Sequence, residues 1–154
     1  MKPARHTEPV ATAATRAAAY RLEEQVGFVL RRAHQRATGV FSQVMGAFGV
    51  TPTQFAALSK LDDMSRVSQN ELGRLTAMDP ATIWGVVSRL MKRGYVTQRP
   101  DDQDGRQVVL ELTAAGRAAT QEMKAVAAAV SARILAPLSD EEAAAFLALL
   151  QRVS

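Results

Sequence analysis

Apolar residues recur at three- and four-residue steps from Ala17 to Gly49: Leu22, Val26, Val29, Leu30, Ala33, Ala37, Val40, Phe41, Val44 and Phe48. This spacing predicts one amphipathic helix of about 30 residues, ended by Gly49, a residue suited to the turn beyond a helix C-terminus. A helix of that length in a small protein packs against more than one body, or against another chain. Thr51-Pro52-Thr53-Gln54 then reads as a capping box with proline at the first helical position. Phe55, Leu58 and Leu61 mark the buried face of a helix to about Asp63.

Two short helices follow. Ser68 and Glu71 form a second expected capping box, with Leu72 and Leu75 on the apolar face of a helix ending near Met78. Asp79-Pro80 opens the next helix, Ile83, Val86, Val87 and Leu90 form its buried stripe, and Gly94 stops it. Composition and alternation predict strands over 95–99 and 107–112, joined by the turn Pro100-Asp101-Asp102-Gln103-Asp104-Gly105-Arg106. Thr113 caps a long alanine-rich helix to about Ala136, Pro137 breaks it, and the box Ser139-Asp140-Glu141-Glu142 opens a last helix with Phe146, Leu147, Leu149 and Leu150.

The order short helix, tight turn, short helix, hairpin is the layout of a winged helix-turn-helix in a mainly α chain. The turn Ala77-Met78-Asp79 is too short for antiparallel packing, so the two helices cross steeply and the second can enter a DNA major groove. Its outward set is Ala81, Thr82, Trp84, Gly85, Ser88 and Arg89, with Lys92 at the edge. Small residues let the backbone approach DNA, Thr82 and Ser88 offer hydrogen bonds to phosphates or base edges, and Arg89 suits a guanine or a phosphate. Trp84 either meets thymine methyls or folds back against the hairpin as core. Gln69 and Arg74 on the preceding helix complete the candidate contacts. At the hairpin tip, Arg106 can enter a narrow minor groove, with Asp104 expected to orient its guanidinium.

Charge agrees with a polyanionic partner. The chain has 154 residues, a net charge of +4 and a pI near 10.0. The excess lies before residue 107, because residues 107–154 carry 4 basic and 5 acidic side chains. The absence of cysteine excludes disulfides and thiolate metal sites, and two separated histidines give no zinc site, so no metal and no cofactor are expected. No apolar run approaches the roughly 18 residues of a membrane span. Residues 1–16 read as a loosely ordered arm, and without an export signal the protein is expected in the cytoplasm.

Together these segments resemble the MarR family of bacterial regulators from about residue 20 to the C-terminus. The resemblance rests on Val50-Thr51-Pro52-Thr53-Gln54-Phe55, Gln69-x-Glu71-Leu72-Gly73, Leu90-x-x-Arg93-Gly94-Tyr95-Val96, Arg99-Pro100-Asp101-x-x-Asp104-x-Arg106 and Leu112-Thr113-x-x-Gly116-Arg117. It implies a homodimer with interlocked terminal helices (17–49 and 113–154) around a winged domain (50–112). It also implies that the recognition helix and the wing arginine touch DNA. Where family recognition helices often carry Thr-Arg, this chain has Trp84-Gly85, so its operator cannot be borrowed from relatives. The dimer has independent support: Val126, Val130, Ile134, Leu135 and the last helix hold more apolar surface than one winged domain covers. A two-fold dimer sets its recognition helices roughly 34 Å apart and predicts a pseudo-palindromic operator.

The family resemblance further implies a small-molecule effector, an aromatic carboxylate. His34, Thr38 and Phe41 share one flank of the first helix, with Arg31 and Arg32 close by. A ring against Phe41 with its carboxylate met by an arginine and His34 is chemically sensible, against the plainer reading of a solvated helix surface. Arg31-Arg32-Ala33-His34-Gln35-Arg36 resembles regulators of aromatic-acid or nicotinate breakdown. Three rivals are weaker. An enzyme built on Asp62-Asp63 or Asp101, Asp102 and Asp104 lacks a nucleophile–base pair and a phosphate loop. A calcium loop over 100–111 would begin at Pro100, which has no ligating side chain, and is flanked by strands. A winged module that meets proteins without specific DNA binding is the alternative function.

Overall fold

The computed structural model describes residues 20–102 and 104–154; residues 1–19, including the expected arm, and Gln103 lie outside the described residues. The described helices and strands run α1 (Val26–Met45), α2 (Pro52–Met64), β1 (Val67–Ser68), α3 (Gln69–Leu75), α4 (Pro80–Lys92), β2 (Val96–Pro100), β3 (Val108–Leu112), α5 (Ala114–Leu135) and α6 (Asp140–Gln151). The chain divides into one unit ending at Gln35 and a second from Arg36 to Ser154.

In the first unit the expected long helix is shortened. Leu22–Glu24 form a 3₁₀ turn and Gln25 is extended (φ −78°, ψ 129°), so α1 begins at Val26. It has 20 residues and not the roughly 30 that periodicity alone suggests. Leu22 and Val26 stay exposed, and the Arg31 guanidinium lies over the Phe28 ring at 5.9 Å.

The second unit is built around one core. Phe41 and Met45 at the end of α1 join Ala57, Leu58 and Leu61 of α2, Leu72 of α3 and the α4 stripe Ile83, Val86, Val87 and Leu90. Val96, Leu110 and Leu112 close it from the hairpin and Met123 from α5. A left-handed Gly49 (φ 61°) ends the 3₁₀ turn after α1, and Thr51 starts α2 through a full capping box, its hydroxyl taking the Gln54 N–H and its own N–H meeting Gln54 Oε1. The box expected at α3 is half formed: Ser68 Oγ accepts the Glu71 N–H, but the Glu71 carboxylate turns to Arg74. Ser139 and Glu142 close theirs completely at α6.

The sheet has three antiparallel strands in the order β1-β3-β2. Val67 pairs with Leu110, and the wing runs from Val96 opposite Leu112 to Pro100 opposite Val108. The two-residue β1 was not predicted, since so short a strand cannot display alternation. Gly116 is required where α5 leaves the sheet: a Cβ there would stand 2.0 Å from the Tyr95 carbonyl oxygen. Thr113 ties the same junction, capping α5 while its hydroxyl donates to the Gly94 carbonyl at 2.6 Å. No residue of α6 is buried, and its Phe146 and Leu149 are 41% and 59% exposed.

Candidate nucleic-acid interface

Helix α4 owes its orientation to α3. Gly73 lets the helices cross closely, because a Cβ there would meet the Met78 carbonyl at 3.1 Å and Ile83 Cγ2 at 3.3 Å. Ala77 turns the chain with a positive φ of 52°, and Asp79 caps α4 by accepting the Thr82 N–H at 2.9 Å. The Asp79 carboxyl is held below the ordinary carboxylate range, first by the Thr82 hydroxyl and then by the Thr82 backbone N–H.

With Ile83, Val86, Val87 and Leu90 buried, α4 presents the expected face: Ala81, Thr82, Trp84, Arg89 and Lys92 are exposed, and Gly85 and Ser88 are half-buried. Trp84 is 65% exposed, so it is not part of the core beneath the hairpin. Trp84, Gly85, Ser88, Arg89 and Lys92 line a shallow concavity of about 370 Å3. Gly85 opens it, and the Arg89 guanidinium lies 3.6 Å from where a Cβ at residue 85 would stand. The Thr82 hydroxyl donates to Asp79 at 2.6 Å. With its proton so engaged the hydroxyl can only accept from a further partner, which suits a base amino group better than a phosphate. Gln69 is half-buried at the start of α3, and exposed Arg74 is paired with Glu71 one turn back.

On the wing, Arg106 is exposed as expected, but Asp104 does not orient its guanidinium. The Asp104 carboxylate instead accepts the Arg106 backbone N–H at 3.1 Å and Gln107 Nε2 at 3.2 Å. An aspartate next to a tight turn satisfies backbone donors more readily than it captures a long, solvated arginine. Its contribution is to shape the turn that carries Arg106. Sequence reasoning missed a charge network at the wing's base. Glu111 accepts from Arg99 at 3.1 Å and lies 3.4 Å from Arg66 Nε, while Arg66 also pairs with Asp102. No spacing rule could reveal it, because residues 66, 99, 102 and 111 come together only in the folded chain.

The remaining sequence candidates fall elsewhere. Arg31, Arg32 and His34 are exposed on α1. Thr38 is half-buried, and its carbonyl accepts the Ser42 hydroxyl at 3.0 Å. Phe41 is 7% exposed and packs 6.0 Å from the Phe55 ring. Asp62 and Asp63 hold Lys124 at 2.7 and 2.8 Å, joining α2 to α5. Among the described residues no group of histidine and carboxylate side chains could hold a metal ion, and no helix is long and apolar enough to cross a membrane.

Comparison with known proteins gives a consistent picture. A sequence model of the MarR family matches residues 48–107. The chain is 40% identical over 134 residues to the HTH-type transcriptional repressor NicR of Pseudomonas putida, covering 87% of this chain and 85% of that protein. A probable transcriptional regulator from Pseudomonas aeruginosa superposes with a TM-score of 0.84 at 46% identity, over 87% of this chain and all of that one. BpsR of Bordetella bronchiseptica, solved in a study of how 6-hydroxynicotinic acid regulates its DNA binding, gives 0.82 at 35% identity over 87% and 96%.

Proposed function

The chain belongs to the MarR family, and we propose that it is a homodimeric transcriptional repressor, not an enzyme, released from its operator by a small aromatic carboxylate. The observation that carries the DNA reading is α4, where polar and small residues face outward over a fully buried stripe, with an arginine-tipped wing on the same body. A second copy covers the apolar faces of α5 and α6 that one chain leaves open. The two recognition helices then meet successive major grooves of a pseudo-palindromic operator, about 34 Å apart.

The effector class is carried over from a relative: the DNA binding of BpsR, 35% identical to this chain, is regulated by 6-hydroxynicotinic acid. His34, exposed on α1, is the group proposed to meet the ligand's anion. Such a ligand releases DNA only by binding the DNA-free geometry more tightly than the bound one.

Fluorescence anisotropy with DNA from upstream of the protein's own gene, an unrelated duplex as control and two salt concentrations tests the reading. Specific binding falls with salt at a slope of about −0.9 per neutralised phosphate, and 6-hydroxynicotinate reverses it. Equal, weak binding to both duplexes would instead favour a winged module that meets proteins. His34→Ala keeps operator affinity and weakens the ligand response; an unchanged response removes His34 from the site.

A further inference from the structure

The wing carries a restraint that neither its sequence motif nor its hairpin ladder requires. Its tip is bonded internally: Asp101 N–H donates to the Gln107 carbonyl at 2.8 Å, Gln107 N–H to the Asp104 carbonyl at 2.8 Å, and Asp104 N–H to Asp101 Oδ1 at 3.2 Å. Those bonds shape the turn without fixing it to the rest of the domain. Among the described residues, a bond that does so comes from Arg66, which lies outside the hairpin, between α2 and β1. Ser65 reverses the chain there with φ 64° and ψ −49°, and the Arg66 N–H donates back to the Met64 carbonyl at 2.7 Å. This tight three-residue turn is an uncommon conformation for a residue with a side chain. It delivers the Arg66 guanidinium across β3, where it passes Glu111 at 3.4 Å and pairs with Asp102 just beyond the end of β2.

We infer that Arg66 and Asp102 are positioning residues for DNA binding, a latch that fixes the start of the tip turn, just beyond β2, and thereby the place from which Arg106 reaches the minor groove. The inference rests on the DNA-binding reading above. The latch has charge partners on both sides: Glu111, 17% exposed in its side chain, is shared by Arg66 and Arg99, so the series Arg66, Glu111, Arg99 and Asp102 alternates in sign across the sheet. Arg66 in turn holds the Asp102 carboxyl below its ordinary range, so the pair is charged on both sides at neutral pH.

Simple electrostatics and the latch give opposite signs for one substitution. Asp102→Asn removes a negative charge from a loop beside DNA, which by charge alone tightens binding. A latch that positions the wing weakens it, by about two- to fivefold for a solvent-accessible pair. The experiment is operator titration of the wild type, Asp102→Asn, the conservative Asp102→Glu and Arg66→Gln, combined with hydrogen exchange of the wing amides at 104–107. Expected are weaker binding and faster wing exchange in Asp102→Asn, an unchanged salt slope, and partial recovery of binding and exchange in Asp102→Glu. Equal or tighter binding with unchanged exchange overturns the latch. A salt slope lowered by about one in Arg66→Gln would also overturn it, by making Arg66 a direct phosphate contact. Wing exchange is measured on free protein, so failure of the wild type to bind any operator would count against the DNA reading and leave the latch to be judged on exchange alone.

Discussion

Arg93 holds Gly49: its Nη1 donates to the Gly49 carbonyl at 2.6 Å, and its Nη2 to the Phe48 carbonyl at 2.8 Å. The guanidinium also lies over the Tyr95 ring at 4.9 Å. One planar fork therefore ties the end of α4 to the turn that follows α1. Arg93→Ala is expected to cost about 1–2 kcal/mol in urea unfolding, and Arg93→Lys to recover little, because an ammonium cannot span two carbonyls while stacking on a ring. A variant of native stability with a reduced salt slope on DNA would show that Arg93 serves phosphate and not the fold.

Two glycines separate close approach from mere flexibility. Gly116→Ala drives a Cβ to 2.0 Å from a backbone oxygen that cannot swing away. It should destabilise by on the order of 3 kcal/mol or more, or prevent folding. At Gly73 the corresponding contacts are 3.1 and 3.3 Å. There the strain is offset by the roughly 1 kcal/mol that alanine gains over glycine in a helix, so Gly73→Ala should lie within about 1 kcal/mol of wild type. Thermal melts of both variants check the order; similar losses would contradict it.

These positions show what the sequence made legible. The segments that carried the family resemblance are mostly scaffold: Thr51 and Gln54 form a cap, Gly73 permits a crossing, Arg93 bridges, Asp104 shapes a turn, and Thr113 and Gly116 join α5 to the sheet. Each uses a local rule of capping, turning or close approach, which is why its meaning survives in one dimension. The buried stripe of α4 was readable for the same reason. The start of α1 was not, because apolar spacing continues through Leu22 although the chain is extended at Gln25. The wing-base charges and the Asp62–Lys124 bridge were hidden because sequence spacing does not encode which distant charges a fold brings together.

Trp84 should separate recognition from stability. With 65% of its surface exposed, the indole contributes little to the core. Trp84→Ala is expected to leave the melting temperature within about 1 °C while lowering operator affinity roughly tenfold, with a smaller effect on an unrelated duplex. Equal losses on both duplexes would make Trp84 a non-specific contact.

The clamp between α2 and α5 predicts a pH signature. Lys124 is pushed above its usual 10.5 by its bond to Asp62 and then by Asp63, and the Asp63 carboxyl is held below 3.8 chiefly by Lys124. For Asp63 the folded value is depressed, so its contribution is present above 3.8 and is lost as pH falls through the lowered value. For Lys124 the folded value is raised, so its contribution is present below 10.5 and is lost as pH rises through the raised value. Urea midpoints of wild type and Lys124→Met should differ by a constant amount between about pH 5 and 10, the difference shrinking at both ends. No difference at neutral pH would mean that the clamp contributes nothing.

A hydroxyl-radical footprint of the protein on DNA upstream of its own gene tests the central claim most directly. A dimer reading two half-sites gives protection symmetric about a dyad, with centres one helical turn, about 10 base pairs, apart. Uniform protection without a dyad, or none at concentrations where the protein is dimeric, would contradict it.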